Sequence, residues 1–447
     1  MNDQCGASMP GHRVWVALLL AAWLPALAAV FQFDDYRVIV GDPAAQSLPA
    51  WLAEFGTGLR PLLKLSYGLS WNLGGGTPLA FVGLNLLLHA AASLLVYRLG
   101  RRLFQLTDVN PSLAPNAALL AALIFALHPV QTEAVSYLSG RSSSLSGLLS
   151  LAALVAYDRQ LQAGRAWPVP LLWLAALASK ETAAVLPLAL LLWDALARPN
   201  DPASARLRRL GIYPVLLALI ALLVLPGSRY VDFFATSLQT RAPLDNALQQ
   251  LPALIWLLRG ALLLRAPNID PDLQPIASLD TVVLSQAALL LGLLLLALSL
   301  RRWRWPAFCA AWALIFLLPT NSLLARLDLA NDRQLYLPLA ALAWSLGYLL
   351  AWTLAWRPRA GAALAAALLL SLTGLTALRN LDYRSETALW SATLADSPTK
   401  ARVLSNHGVA LWQAGREPEA ASAFRAALSR DPGYLPARRN LRRLTGE

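Results

Sequence analysis

Residues 79–102 read LAFVGLNLLLHAAASLLVYRLGRR, and this stretch decides the architecture. Positions 79–97 carry no charge, a length close to the ~20 residues a helix needs to cross a bilayer. The run then stops at Arg98, Arg101 and Arg102. An apolar run closed by a short arginine cluster encodes both a membrane span and its orientation. The pattern recurs along the chain. Spans are expected near 14–33, 79–97, 116–130, 144–157, 167–180, 182–196, 211–226, 281–300, 306–320, 335–356 and 360–378. The fold class that follows is all-α, a polytopic membrane protein with about eleven transmembrane helices over 1–380. Residues 381–447 form a separate C-terminal tail.

Composition agrees. The chain is 57% hydrophobic and only 14% charged, against roughly 45–50% and 25% in soluble domains. A soluble core of this length has nowhere to put that much apolar surface, whereas a bilayer accepts it. The formal charge of +12 sits almost entirely in short runs between spans. It therefore reads as topology and argues against nucleic acid as a partner. Cys5 and Cys309 lie far apart in unlike surroundings and imply no disulfide framework. The run 14–33 is long for a signal core and further spans follow it, so it is expected to be retained.

Every second loop holds a basic cluster: Arg98, Arg101 and Arg102; Arg159 and Arg165; Arg198, Arg206, Arg208 and Arg209; Arg301, Arg302 and Arg304; Arg357 and Arg359. These loops should face the cytoplasm. The alternation holds if 251–265, with Pro252, Arg259 and Arg265, lies at the interface and does not cross alone. The outer side then receives 34–78, 128–143, 227–280, 321–334 and everything after Arg379. Those loops are long and rich in aspartate, aromatics, proline and glycine, which points to chemistry there.

The tail has its own spacing. Leu404, Gly408, Leu411, Gly415, Ala420, Phe424, Ala427 and Pro432 fall at the small and large positions of a 34-residue tetratricopeptide repeat. One repeat cannot build a solenoid. It serves as a cap on the outer loops or as a docking surface for an acceptor or partner.

Several outer-face groups carry chemistry. Asp34-Asp35 stands where the first span meets the surface, beside an aromatic, amphipathic loop that contains Arg60. An adjacent carboxylate pair at a helix end is ordinarily a solvated boundary. Here it shares a face with His128, Glu133, Arg141, Lys180, Arg333 and Tyr336. Transfer of a sugar from a polyprenyl phosphate to a hydroxyl needs a carboxylate base. It also needs cations for the departing phosphate. No phosphate-cradling loop of nucleotide enzymes is present; the glycines at 74–76 lack the following Lys-Ser/Thr.

These residues fall in stretches that resemble the transmembrane and tetratricopeptide-repeat O-mannosyltransferases and their bacterial relatives, within the GT-C glycosyltransferase superfamily. The stretches are FDDYRVIV (33–40), LRPLLKLSYGLSWNLGG (59–75), GLNLLLHAAASLLVYRLGRRLF (83–104), HPVQTEAVSYLSGR (128–141), SKETAAVLPLALLLWD (179–194), NDRQLYLP (331–338) and RNLDYRSETALW (379–390). The resemblance implies a GT-C-like catalytic domain over 1–380 and an outward-facing site that takes a polyprenyl-phosphate-linked sugar. Inversion at the transferred carbon is also implied. Asp34 becomes the expected base, with Asp35 as alternative or supporting acid. Arg333, Lys180 and Arg141 are expected at the donor phosphate. Glu133, His128, Arg60 and Tyr336 are expected around the acceptor or sugar. No metal is required, although paired carboxylates can bind Mg²⁺ or Mn²⁺. Members of that family carry many repeats where this chain has one, which leaves a protein acceptor and an envelope glycan both open.

A membrane-anchored repeat scaffold for envelope assembly is the competing reading, but it needs many repeats and few spans. A transporter would place charges mid-membrane. The Ala-, Leu- and Arg-rich composition fits a bacterial inner membrane, with the repeat in the periplasm.

Overall fold

The computed structural model describes residues 12–446 apart from 108, 165–167, 225, 227, 277–279, 300–302 and 323–324. Cys5, Arg165, Arg301 and Arg302 lie outside the described residues. Every regular element among the described residues is helical.

Among the described residues, five helices are long and apolar enough to cross a membrane: Pro78–Leu106, Ala203–Val224, Thr281–Ser299, Pro338–Trp356 and Pro358–Asp382. A sixth is added if Ala114–Leu127 and Pro129–Val135, bent by 52°, count as one broken span. The expectation of a multi-pass membrane protein holds at this level. The other expected spans are shorter or interrupted. Arg13–Ala28, Val169–Ser179 and Arg304–Leu317 are apolar but short. Lys180 and Glu181 separate Val169–Ser179 from Leu186–Ala197. Arg141–Ala163 buries a run of serines and Asp158, which lowers its apolarity.

Small residues let the central helices touch. A methyl on Gly347 would stand 2.4 Å from the Ala117 carbonyl oxygen, and one on Gly100 would stand 2.8 Å from the Trp344 indole nitrogen. Without a hydrophobic effect between helices in lipid, such close van der Waals contact is what holds a bundle together. At the periphery, Ala203–Val224 and Thr281–Ser299 leave most of their apolar side chains outward. Lipid is the solvent that accepts them.

The two ends of the bundle differ in charge. At one end Arg102 lies 3.3 Å from Asp158, Arg209 lies 2.8 Å from Asp194, and Arg198 and Arg304 each reach a backbone carbonyl at 2.5 Å. The basic loops therefore meet one another. At the other end the loops after 30, 128, 180, 331 and 382 are tied together by contacts such as Gln32 Nε2 to the Tyr383 carbonyl, 2.6 Å. The stretch 251–265 ends the helix Pro243–Ala261 at this second end, where Arg265 pairs with Asp332 and stacks on Trp256.

The tail is a set of helices, Glu386–Asp396, Ala401–Gln413, Glu417–Arg430 and Leu435–Thr445. Leu404, Leu411, Ala420, Phe424, Ala427 and Ala437 form a core of their own. Gly408 is where its two central helices meet, since a methyl there would come within 2.7 Å of the Phe424 ring. The tail is fastened to the main body through Lys400 Nζ, 2.5 Å from Asp270, and through Ser397, which accepts from Asn268 at 2.9 Å.

Candidate active site

The acidic pair sits on a strained turn. Phe33 takes φ 44°, a left-handed conformation that costs a residue with a Cβ about 1–3 kcal/mol. Its neighbours hold it there. Its ring meets Trp390 edge-on at 5.3 Å, and its N–H donates to Glu386 at 3.4 Å. The turn sends the two carboxylates to different places. Asp35 is fully buried and accepts from the backbone N–H of Gln32 at 3.0 Å and of Ser139 at 2.8 Å. Burial pushes its carboxyl up to about 7, against those two hydrogen bonds. Asp35 thereby pins the first loop to the segment 137–141. Asp34 is half-buried; its N–H donates to the Tyr137 hydroxyl at 3.0 Å, and its carboxylate lies 3.8 Å from exposed Arg37. Asp34 is the member of the pair whose carboxylate is open to solvent.

The cations come from other loops at the same end. Arg333 opens the segment that leads into Pro338–Trp356. Its N–H donates to Glu133 at 3.1 Å, its Nε lies 3.5 Å from the same carboxylate, and its guanidinium stands over the Tyr137 ring. Burial opposes its charge, but Glu133, Tyr137 and then Asp34 raise its pKa. Tyr137 thus lies between Arg333 and Asp34, with its hydroxyl on the Asp34 N–H and its ring under the Arg333 guanidinium. Lys180 caps Val169–Ser179, and its Nζ donates to Ser143 at 2.7 Å. Arg333 and Lys180 line one cleft, together with Ser146, Gly147, Gln334 and Tyr336. Beside it Arg60, itself at φ 54°, holds Glu181 by two hydrogen bonds of 2.6 and 2.9 Å. Burial disfavours the Glu181 charge, yet Arg60 brings that carboxyl down to about 2.

Three other expected site residues, Arg141, His128 and Glu133, are not part of the cleft lining. The structure does not bring Arg141 to the cleft: it is fully buried and bonded to Asn85 at 2.6 Å, the Ser66 carbonyl at 2.7 Å and the Phe81 carbonyl at 3.0 Å. Its guanidinium also stacks on Tyr67 and Phe81. His128 uses both ring nitrogens on backbone groups, Nε2 3.1 Å from the Ala261 carbonyl and Nδ1 3.4 Å from the Val130 N–H. Glu133 lies beneath Arg333, and Tyr336 presents its ring to the cleft while its hydroxyl meets His89 at 3.1 Å.

One cation was missed. Arg326 sits in the electrostatic field of Lys180, Arg333 and Arg60, and its Nη1 is buried without a hydrogen-bond partner. Burial pushes it down to about 10. In sequence, Asp328 two residues on makes it look locally paired, but Asp328 bonds Arg402 of the tail.

Bundle and cleft define a multi-pass membrane protein with a charged site where helix ends meet. Compared with known proteins, the chain is 25% identical to a protein O-mannosyl-transferase of Caenorhabditis elegans, over 94% of this chain and 63% of that protein. It is 37% identical to the protein O-mannosyl-transferase Tmtc1 of Drosophila melanogaster, over 37% of this chain and 20% of that protein. It is 36% identical to the protein O-mannosyl-transferase TMTC4 of Homo sapiens, over 28% of this chain and 20% of that protein. The chain thus spans 63% of the length of the first relative and 20% of the other two. No family model and no solved structure matches it. The chain is thus similar in sequence to protein O-mannosyl-transferases, to the first of these along nearly its whole length.

Proposed function

We propose that the chain is a GT-C-type glycosyltransferase that moves a sugar, mannose on the strength of its relatives' names, from a polyprenyl phosphate to an acceptor hydroxyl. The acceptor oxygen attacks the sugar's anomeric carbon while the bond from that carbon to the phosphate oxygen breaks. Asp34 takes the hydroxyl proton. Polyprenyl phosphate departs with one more negative charge than it carried as a diester, and Lys180 and Arg333 neutralise it. Attack opposite the leaving group inverts the carbon. No residue in this sequence of events needs a metal.

One observation carries the reading. Arg333 lines the cleft beside Lys180 and stands over the ring of Tyr137, whose hydroxyl accepts from the Asp34 N–H, so base and phosphate site adjoin at one tyrosine. The test is transfer of radiolabelled mannose from polyprenyl-phosphate mannose to acceptors in membranes that hold the full chain. Wild-type rates in both Asp34→Asn and Asp35→Asn would remove the catalytic assignment.

The same proposal includes about eleven crossings, a bacterial inner membrane, and the tail as one tetratricopeptide repeat on the outer side that presents an acceptor protein or envelope glycan. A C-terminal reporter active only in the cytoplasm would reverse the sidedness.

A further inference from the structure

The cleft has a wall that phosphate chemistry leaves unused. On the helix Arg141–Ala163, Ser143, Ser146, Gly147 and Ser150 fall at i, i+3, i+4 and i+7 and line the cleft as one stripe. Gly147 is where the opposite side comes closest, since a methyl there would meet the Tyr336 ring at 2.6 Å. Facing the stripe, Gln334 lines the cleft, is 6% exposed, and has no hydrogen-bond partner at either its Oε1 or its Nε2. Leaving a buried polar atom unpaired forfeits its hydration with nothing in return. A buried amide unpaired at both ends is accounted for by a ligand that supplies a donor and an acceptor together.

The chemistry of that ligand can be narrowed. Lys180 and Arg333 only donate, which suits a phosphate. A phosphate oxygen can satisfy the Gln334 Nε2 but not its Oε1. Two neighbouring hydroxyls satisfy both, because each donates and accepts. We infer that the cleft is divided, with Lys180 and Arg333 on the donor phosphate and Gln334 hydrogen-bonded to adjacent hydroxyls of the transferred sugar against the serine stripe. This rests on the glycosyltransferase reading and adds to it the residue that recognises the sugar.

Two probes separate the halves: polyprenyl-phosphate mannose and sugar-free polyprenyl phosphate, each titrated against the full chain in detergent. Gln334→Leu is expected to weaken the mannose lipid roughly tenfold or more and to leave polyprenyl phosphate within about twofold. Lys180→Met is expected to weaken both. Gln334→Met, closer in shape, should repeat the discrimination if the leucine variant does not fold. Equal loss for both lipids, or loss for neither, overturns the assignment. A wild-type chain that binds neither lipid removes the glycosyltransferase reading itself, and the role of Gln334 with it.

Discussion

Arg402, near the start of the tail helix Ala401–Gln413, bonds Asp328 in the loop that carries Arg333 five residues later. The same guanidinium holds buried Asp270, with Nε 2.7 Å from Oδ2. At the other side of the site, Trp390 and Glu386 of the tail hold Phe33, next to Asp34. Two successive tail helices, Glu386–Asp396 and Ala401–Gln413, therefore touch the loop of the base and the loop of Arg333. Arg402→Ala should free the segment 325–334, and a partly buried ion-pair network of this kind stabilises by about 1–2 kcal/mol. Amide hydrogen exchange there should speed up roughly five- to thirtyfold, with the helix Ala114–Leu127 unchanged. Unaltered exchange in 325–334 would mean the loop is held without the tail.

Glycines at two closely packed places should fail differently. A methyl on Gly140 would fall 2.0 Å from the Glu133 carbonyl oxygen, a backbone atom that cannot rotate away. Gly140→Ala is expected to destabilise by about 1–3 kcal/mol or more, read as a lower Tm of the solubilised protein. Gly147→Ala presses on side chains alone, the Tyr336 ring at 2.6 Å and Leu337 at 3.6 Å, and that contact lies on the cleft wall. Its smaller loss of Tm should come with weaker binding of polyprenyl-phosphate mannose.

Charge pattern and hydropathy exposed the large features because each acts over many residues. Arginine clusters such as those at 98–102 and 206–209 alternate with apolar runs, and the structure gathers their partners Asp158 and Asp194 at one end of the bundle. Lys180 and Arg333 stood on one face in the sequence, and the structure puts them in one cleft. Direction was harder to read than position. Arg141 looks like another outer-face cation, but Asn85 and two backbone carbonyls from other helices draw it inward. Those partners are distant in sequence. Gln334 carries no charge to betray it, and Arg326 was disguised by Asp328, whose own partner lies in the tail. The number of crossings was the least legible part, since Lys180, Glu181 and the buried serines shorten the apolar runs they interrupt.

Arg141 supplies the check on that inward reading. Arg141→Met removes the guanidinium that donates to the Asn85 amide oxygen, the Ser66 carbonyl and hydroxyl, and the Phe81 carbonyl. A loss of about 3 kcal/mol or more in stability is expected. Arg141→Lys should recover little, because an ammonium cannot reproduce the planar fork that meets these acceptors and two rings. Folded protein that remains should bind polyprenyl phosphate as wild type does. A stable Arg141→Met variant with weakened phosphate binding would return Arg141 to the donor site.

The acidic pair separates by pH. Asp34→Asn removes the accessible carboxylate and should reduce transfer by roughly 10²–10⁴-fold, with Tm essentially unchanged. Asp35→Asn should act on stability. The Asp35 carboxyl is raised from 3.8 to about 7 by burial, so the folded chain binds its proton more tightly than the unfolded chain does. Stability from this source is complete below the unfolded value near 3.8 and is lost as pH rises through about 7. Asn cannot titrate. The Tm of wild type minus that of Asp35→Asn should therefore shrink between those two pH values and level off above them. A gap that widens with pH would mean the two N–H donors, from Gln32 and Ser139, outweigh burial and hold Asp35 ionised. Asp35 would then be available as the base alongside Asp34.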